Sequence, residues 1–529
     1  MLRAEPFDRV VATRMLDFFG AETAWQRRLW DIGTCLTLRE IVEASDAVER
    51  ALSSEAVDWL RVSALALAGP DLGVGTGAER STLTAALQAN VTRGSFDARI
   101  IEQIEASANR GYLSRWASAL EAATPPVGPE RLARALGGHL LGSGFSPEYL
   151  HRWWSYKVHH EGGERTLSDI VRDAHDRVAE PLACHDVIIP LRRATARVHE
   201  VPGWLAPGAA SDLLTPINKR PIAGLAGALR LKLTARDPGA AVEAAADLVD
   251  RYIARITLGG GGEGIDPLPY VWVAAAGRHQ RMRLRRRRGL EIPVLLRRDE
   301  PITSPVAPRI DSSLELLGPV DQGPTASAAA GGWAAVETLL SAPGDRAKVR
   351  AADRLASLVA CSFPRAELAQ LAHRFVARDG DSNPLLAERL SSASTNTNRA
   401  RRLARHLRVD DVAFSDESDA AACQRMKALV LNPRTGLRDL EAHLQRSLRR
   451  LYRVRNLVLH GAATDSVTLT PALRAAAPLI GAGIDRLVRG TVLQAVQPLD
   501  LAARARIMID NADNLDPERL GDLLELAET

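Results

Sequence analysis

Residues Leu437–Gly461 read LRDLEAHLQRSLRRLYRVRNLVLHG, and their periodicity decides the fold of the C-terminal part of the chain. Leu437, Leu440, Leu444, Leu448, Leu451 and Val458 recur three, four, four, three and seven residues apart, a spacing that puts side chains on one face of an α-helix. A long amphipathic helix is therefore predicted over Leu437–His460, with Gly461 as its stop. Arg455 falls in the apolar seam between Leu451 and Val458. A permanently charged guanidinium where the period asks for an aliphatic side chain is the kind of local conflict that marks functional positions. His460 follows five residues later, with Asn456 one turn below it. Five residues turn an ideal helix by about 140°, so Arg455 and His460 share a face only with the help of the long Arg side chain or a frayed helix end.

Helical patterns surround this stretch at Trp333–Leu340, Ala347–Val359, Arg365–Val376, Leu385–Ser391, Arg399–Leu407, Ala421–Leu431 and Pro471–Val496. Together they predict an α-helical bundle over 305–500, followed by a helical tail, 501–529. Before it, 301–332 is rich in Pro, Gly, Ser and Ala and holds one amphipathic stretch, SSLELL; it reads as a hinge with a short helix. Residues 1–130 show helical periodicity with short breaks, closed by ATPPVGPE at 123–130, and predict a helical N-terminal domain. Residues 131–300 read as mixed α/β. Short β-branched runs at His185–Pro190, Tyr270–Val273 and Ile292–Leu296 predict strands, and a helix is expected at Ala240–Ile256 before the GGGGEG turn at 259–264. The fold class expected is mostly α, with a few short β-strands in the middle region.

Composition bounds the function classes. A chain of 529 residues exceeds what one hydrophobic core organises, so two or three domains are expected. Only 4% of residues are aromatic, which favours helix packing. Of the 68 Lys and Arg residues only 5 are Lys. Arg presents a planar donor fork suited to phosphate, although a GC-rich coding sequence produces the same bias. Cys35, Cys184, Cys361 and Cys423 are far apart and form no CxxC, so neither a disulfide framework nor a zinc ribbon is expected. The N-terminal residues lack a signal-peptide core and no apolar run approaches membrane-spanning length. A cytoplasmic location without membrane attachment is expected. No repeat of 20 to 50 residues is evident, which argues against a solenoid.

The Arg-x4-His spacing occurs four times, at Arg134/His139, Arg401/His406, Arg438/His443 and Arg455/His460, so spacing alone carries little weight. The setting of the last one is distinctive: Tyr-Arg-Val-Arg-Asn-Leu-Val-Leu-His-Gly, Tyr452 to Gly461, closing a long amphipathic helix. It resembles the active-site motif of HEPN-superfamily ribonucleases, which typically show Arg, a polar residue such as Asn, three mostly aliphatic residues, then His. Upstream, Trp333-Ala-Ala-Val-Glu337 and the Ala-rich helix after it look like the leading helices of the Apea-like HEPN branch associated with phage defence. The resemblance covers about 305–500. It implies a metal-independent, cofactor-free endoribonuclease in which two protomers pair so that both motifs form one composite site. His460 would move a proton between the ribose 2′-hydroxyl and solvent or the leaving 5′-oxygen. Arg455 would hold the phosphate and stabilise developing charge, and Asn456 would orient either group. It further implies a role in bacterial antiviral or stress defence, such as abortive infection, with 1–300 sensing a trigger or holding RNA. The rival is a non-catalytic HEPN adaptor or RNA-binding scaffold that uses the bundle only to dimerise.

Three other stretches invite a functional reading. The run containing Arg281, Arg283, Arg285, Arg286, Arg287 and Arg288 could neutralise several RNA phosphates, or be a solvated turn or a partner-facing charged strand. His151–Glu161 clusters aromatics with His and Glu; His159 and His160 are adjacent and point apart on a helix, so core packing by Trp153 and Trp154 is the expected role, with no metal. GVGTGAERST at 73–82 lacks the Lys that a phosphate-binding loop requires, and GGGGEG fails likewise.

Overall fold

The predicted seam forms a single helix, Pro433–Gly461, of 29 residues. In the computed structural model, which describes residues 6–29, 31–48, 51–122, 127–161, 165–259, 264–275, 278–297 and 307–525, this motif helix is enclosed on two sides. Leu437, Leu444, Leu448, Leu451 and Val454 enter the core of a C-terminal bundle built on Trp333, Leu355, Val359, Leu371, Ile480 and Leu487. Each fully buried Leu there contributes roughly 1.5–3 kcal/mol. On the other side Leu457 enters a core of the N-terminal helices with Leu38, Ile41, Leu60, Leu83 and Ile101.

Two departures from the expected bundle have local causes. The segment expected as a hinge, where described, is a pair of helices, Pro308–Gln322 and Thr325–Leu340. Their small residues let the two pack closely, and Leu317, Val320, Ala328 and Trp333 face one core. The patterns at Ala347–Val359 and Arg365–Val376 fuse into one helix, Arg350–Arg374. Pro364 lies inside it without breaking it. The tail also joins the bundle, because Leu501, Ala505, Ile509, Leu520 and Leu523 are buried in the same core.

The N-terminal helical unit extends past 130. Helices Pro129–Gly142, Pro147–His159 and Leu167–Ala179 bury Leu136, Trp154 and Ile170 against Met15, Phe18, Tyr112 and Trp116, so the boundary moves to about residue 180. Trp154 Nε1 donates to the Ala12 carbonyl at 3.0 Å, the core role expected of it. Thr76 and Glu79 form a reciprocal cap on the helix Gly77–Gln88, which accounts structurally for the TGAE of the phosphate-loop-like stretch.

The middle region is an antiparallel sheet of order β2-β3-β1-β5-β6, with β4 also on β1. The strands are β1 Ala183–Arg193, β2 Trp204–Leu205, β3 Gly227–Ala235, β4 Asp266–Pro267, β5 Tyr270–Ala275 and β6 Arg278–Arg283. β1 runs through Pro190, where the sequence suggested an end. Its pairing with β5 covers only Asp186–Ile188, so the missing proline N–H costs no bond to that strand. Val187, Ile189, Leu229, Leu231, Val271 and Val273 pack on the helix Pro238–Leu258. Asp237 caps that helix and also accepts from Ser146 N at 2.7 Å and Ser146 Oγ at 2.6 Å, locking the sheet to the N-terminal unit. The third expected strand, Ile292–Leu296, is a short helix, Pro293–Arg297; Val294 reaches the bundle core and its N–H binds Asp485 at 2.7 Å. Most of the GGGGEG turn lies outside the described residues. Among them, no helix is long and apolar enough to cross a membrane.

Two of the four Arg-x4-His histidines prove to be core groups. His139 stacks on Tyr112 at 4.3 Å, and burial pushes its pKa down to about 3. His443 is likewise held well below the ordinary value by burial, then by Arg134 and Arg446. An unfolded histidine titrates near 6.5, so in this window the unfolded chain binds protons that the folded chain refuses. For His139, stability is present above about pH 6.5 and falls as pH drops toward about 3, by about 1.4 kcal/mol per unit, and His443 acts in the same direction. His139→Phe keeps the ring stack and removes one titration. The variant is expected to lose less melting temperature than the native protein between about pH 7 and about pH 5; equal acid sensitivity would contradict this assignment.

Candidate active site

The end of the motif helix is fixed by charges from the opposite end of the chain. Glu40, on the helix Thr34–Asp46, accepts from Arg450 Nε at 3.1 and 2.9 Å and pairs with Arg453. Asp31 accepts from Arg450 Nη1 at 3.3 Å and from Arg446 Nε at 3.2 Å. Both Arg450 and Glu40 are only 1% exposed in their side chains. Burial alone would raise the Asp31 pKa, but Arg450 and Arg446 carry it well below the carboxylate range. Burial lowers Arg453 to about 9, because the interior disfavours its charged form. The turn after the helix is also held: Ser466 Oγ and Val467 N donate to Glu43 at 2.8 and 3.2 Å.

Arg455 itself looks the other way, toward the bundle. Its side chain is 24% exposed, and Nη2 stands 4.0 Å from Glu337 Oε2, while Nη1 donates to Asn456 Oδ1 at 2.9 Å. Glu337 is held in turn by Trp333 Nε1 at 2.8 Å and Lys348 Nζ at 3.2 Å, and Trp333 packs on Tyr452 with ring centroids 4.6 Å apart. The Trp333–Glu337 pair picked out in the sequence therefore lies against the motif. Arg455 is not a fully buried seam residue: Val454 and Leu457 take the buried positions on this turn, because the helix has core on two sides and the seven-residue step from Leu451 to Val458 skips both.

His460 is exposed on the last turn, next to Leu459, which is 51% exposed. Gly461 does not stop the helix. It remains helical, and Ala462 takes the left-handed position at φ 51°. A Cβ at Gly461 would sit 3.3 Å from the Ala51 methyl, so this glycine serves a close approach to the N-terminal unit. With the last turn regular, His460 keeps its helical offset from Arg455. One chain presents Arg455 and Asn456 as a braced pair and His460 as a separate, solvent-facing imidazole.

The arginine run divides in two. Arg285 pairs with Asp250, and Arg286 with Glu148 and, at 3.9 Å, Glu243. Arg287 Nε binds Asp321 at 2.7 Å, and Arg288 donates to the Val320 and Gly323 carbonyls at 3.0 and 2.9 Å. Arg285 binds the helix Pro238–Leu258 of the same region, Arg286 ties the segment after β6 to the N-terminal unit, and Arg287 and Arg288 tie it to the end of the helix Pro308–Gln322, where a cation complements the terminal carbonyls. These pairings commit part of their donor capacity within the molecule. Arg281 and Arg283 are different: both are exposed on β6, and Arg281 lies 3.8 Å from the Tyr270 ring centroid. The strand register puts Arg230 and Lys232 of β3 on the same sheet face, Arg230 paired with Asp186 at 2.6 Å. The alternation LRLKL at 229–233 carried this signal and is absent from the strands read in the sequence. Among the described residues no group of three or more His, Cys, Asp or Glu could hold a metal ion.

No family model matches this chain, and no curated protein or solved structure matches it.

Proposed function

We propose that this protein is a metal-independent endoribonuclease of the HEPN type, acting as a homodimer through its C-terminal bundle. The observation that carries the reading is the last turn of the motif helix: Arg455 beside Asn456 and Glu337 on one flank, and His460 free to solvent. Attack of a ribose 2′-oxygen on its own phosphate needs a base for the hydroxyl proton, an acid for the departing 5′-oxygen and a cation for the negative charge on the phosphoryl oxygens. His460 supplies proton transfer. Arg455 supplies the cation, and its partner Asn456 aims it. Two copies of His460 brought together across a two-fold axis would provide base and acid at once. The exposed side chains of Lys232, Arg281 and Arg283 would hold the RNA backbone, and the N-terminal unit, clamped onto the motif helix through Glu40, would pass on a trigger. The defence role rests on the family resemblance alone.

The test is cleavage of a structured RNA by the full chain in excess chelator, with the ends of the products identified. The expected products carry 2′,3′-cyclic phosphate and 5′-hydroxyl ends, the outcome of 2′-oxygen attack. Cleavage that requires added metal, or that leaves 5′-phosphates, would sink the mechanism. The second reading, a non-catalytic dimerising scaffold, is favoured by the separation of Arg455 from His460 within one chain. RNA binding and dimerisation without any cleavage would support it.

A further inference from the structure

The N-terminal unit and the bundle enclose a groove of about 450 Å³. It lies at the start of the motif helix, about 37 Å from His460 at 1.5 Å per residue, and has no part in the site just described. Leu29, Phe363, Leu429 and Leu440 give it an apolar side, and Gln26, Asn432 and Thr435 supply amide and hydroxyl groups. Its volume falls in the roughly 300–1,000 Å³ range of small-molecule sites.

Three guanidiniums from separate helices converge there on one carboxylate. Arg14 Nε and Nη2 donate to Glu130 at 2.8 and 3.1 Å, and Arg134 Nη2 donates to it at 3.0 Å. Arg425 Nη1 stands 3.9 Å from the same carboxylate, outside hydrogen-bond range. Arg14 has a second acid, Asp17, at 2.5 Å. The deficit falls on the other two: Arg425 Nη1 and Nη2 and Arg134 Nε are buried without a hydrogen-bond partner. Burial, then repulsion from Arg14, lowers the Arg425 pKa to about 10. Glu130, despite its own burial, is held well below the carboxylate range by Arg14, Arg134 and Arg425. A buried charged donor left without a hydrogen bond is costly, so this arrangement invites an anion.

A second feature points the same way. The motif helix begins at this groove with Asn432 and Pro433; the Asn432 side chain makes no cap, and Asp513 from the C-terminal tail accepts from the Arg434 N–H at 3.2 Å. Gly436 N–H is taken by the Asn432 carbonyl, so what this end of the 29-residue helix offers the groove is its dipole and the turn at Thr435, a setting that favours negative charge. Asp439, exposed on the next turn, is the other acid in the lining beside Glu130.

From these groups we infer that the groove binds a small organic phosphate of the size of a nucleoside monophosphate. Its phosphate seats among Arg425, Arg134 and the first turn of the motif helix, completing the hydrogen bonds that Arg425 lacks, and its flat body lies on Phe363, Leu29 and Leu429. Such a ligand touches the N-terminal unit and the bundle at once, so it reports on, and strengthens, their contact. The inference does not rest on the nuclease reading.

Calorimetric titration of the full chain with adenosine 5′-monophosphate, pyrophosphate and inorganic phosphate tests it, on the native protein and on Arg425→Met. Adenosine 5′-monophosphate is expected to bind the native protein at least about tenfold more tightly than inorganic phosphate, and Arg425→Met to weaken it by about tenfold or more. The unliganded variant should melt near the native temperature, because the change removes a buried charge whose Nη1 and Nη2 make no hydrogen bond and whose only contact with Glu130 is at 3.9 Å. Arg134→Met gives an independent second variant with the same expected loss of binding. Absence of binding by all three probes at millimolar concentration, or equal affinity in native protein and both variants, overturns the site. Organic and inorganic phosphate binding alike would overturn the assignment of an organic ligand.

Discussion

Replacing His460 with alanine is expected to lower the rate of RNA cleavage by about 10²–10⁴-fold, the usual worth of a positioned proton-transfer group, and to leave the fold untouched. The second half of the expectation follows from position. His460 is exposed on the last turn of its helix, so the change removes no core contact, and surface substitutions of this kind usually stay within about 0.5 kcal/mol. Melting temperature and dimer formation should therefore match the native protein while cleavage is lost. Arg455→Lys is the informative companion. It keeps the charge but loses the fork that reaches Asn456 and Glu337 together, and it should retain RNA affinity better than it retains rate. Undiminished cleavage by His460→Ala would remove the motif from the mechanism altogether.

The largest expected effect on stability is at a residue far from any RNA. Glu40→Ala strands Arg450 and Arg453, both in the interior of the molecule, with Asp31 as the remaining acid for Arg450. Removing one partner of a buried ion pair costs about 3–5 kcal/mol, and in a molecule of this size that corresponds to a fall of roughly 3–5 °C in melting temperature. The triple change Glu40→Met, Arg450→Met and Arg453→Met replaces the charges with apolar side chains and is expected to recover much of the loss. A Glu40→Ala protein that melts like the native one would show that these arginines find water or other acids, and the clamp on the motif helix would be discounted. Because Glu40 holds the same helix turns that carry Arg455, the single variant should also weaken cleavage, whereas the triple variant separates the electrostatic role from the structural one.

Much of the bundle was legible because helix formation is a local property. Leu437 through Leu451 carry a period that needs no partner to be read, and the helix they predict differs from the one formed only at its ends. The strands His185–Pro190 and Tyr270–Val273 were legible for the same reason, and both lie within longer strands. Ile292–Leu296 was misread because a short apolar run has no period of its own; its conformation was set by docking of Val294 on the bundle. Glycine and proline gave the least reliable signals. Gly461 answers to the Ala51 methyl and Pro190 to where a neighbouring strand stops, facts that lie far along the chain.

The candidate site shows the same division. The presence of Arg455, Asn456 and His460 at the end of a long amphipathic helix was fixed by the order of the residues alone. Which arginines are free and which are spent was not. Arg285 through Arg288 look in one dimension like an RNA-binding run, and Arg450 and Arg453 like members of a polar helix face. Folding brings Asp250, Glu148 and Asp321 to the first group and Glu40, 410 residues away, to the second. Charge is written in the sequence, but its compensation depends on a distance of a few ångströms in a low-dielectric interior, and only the packing of the N-terminal helices against the bundle sets that distance.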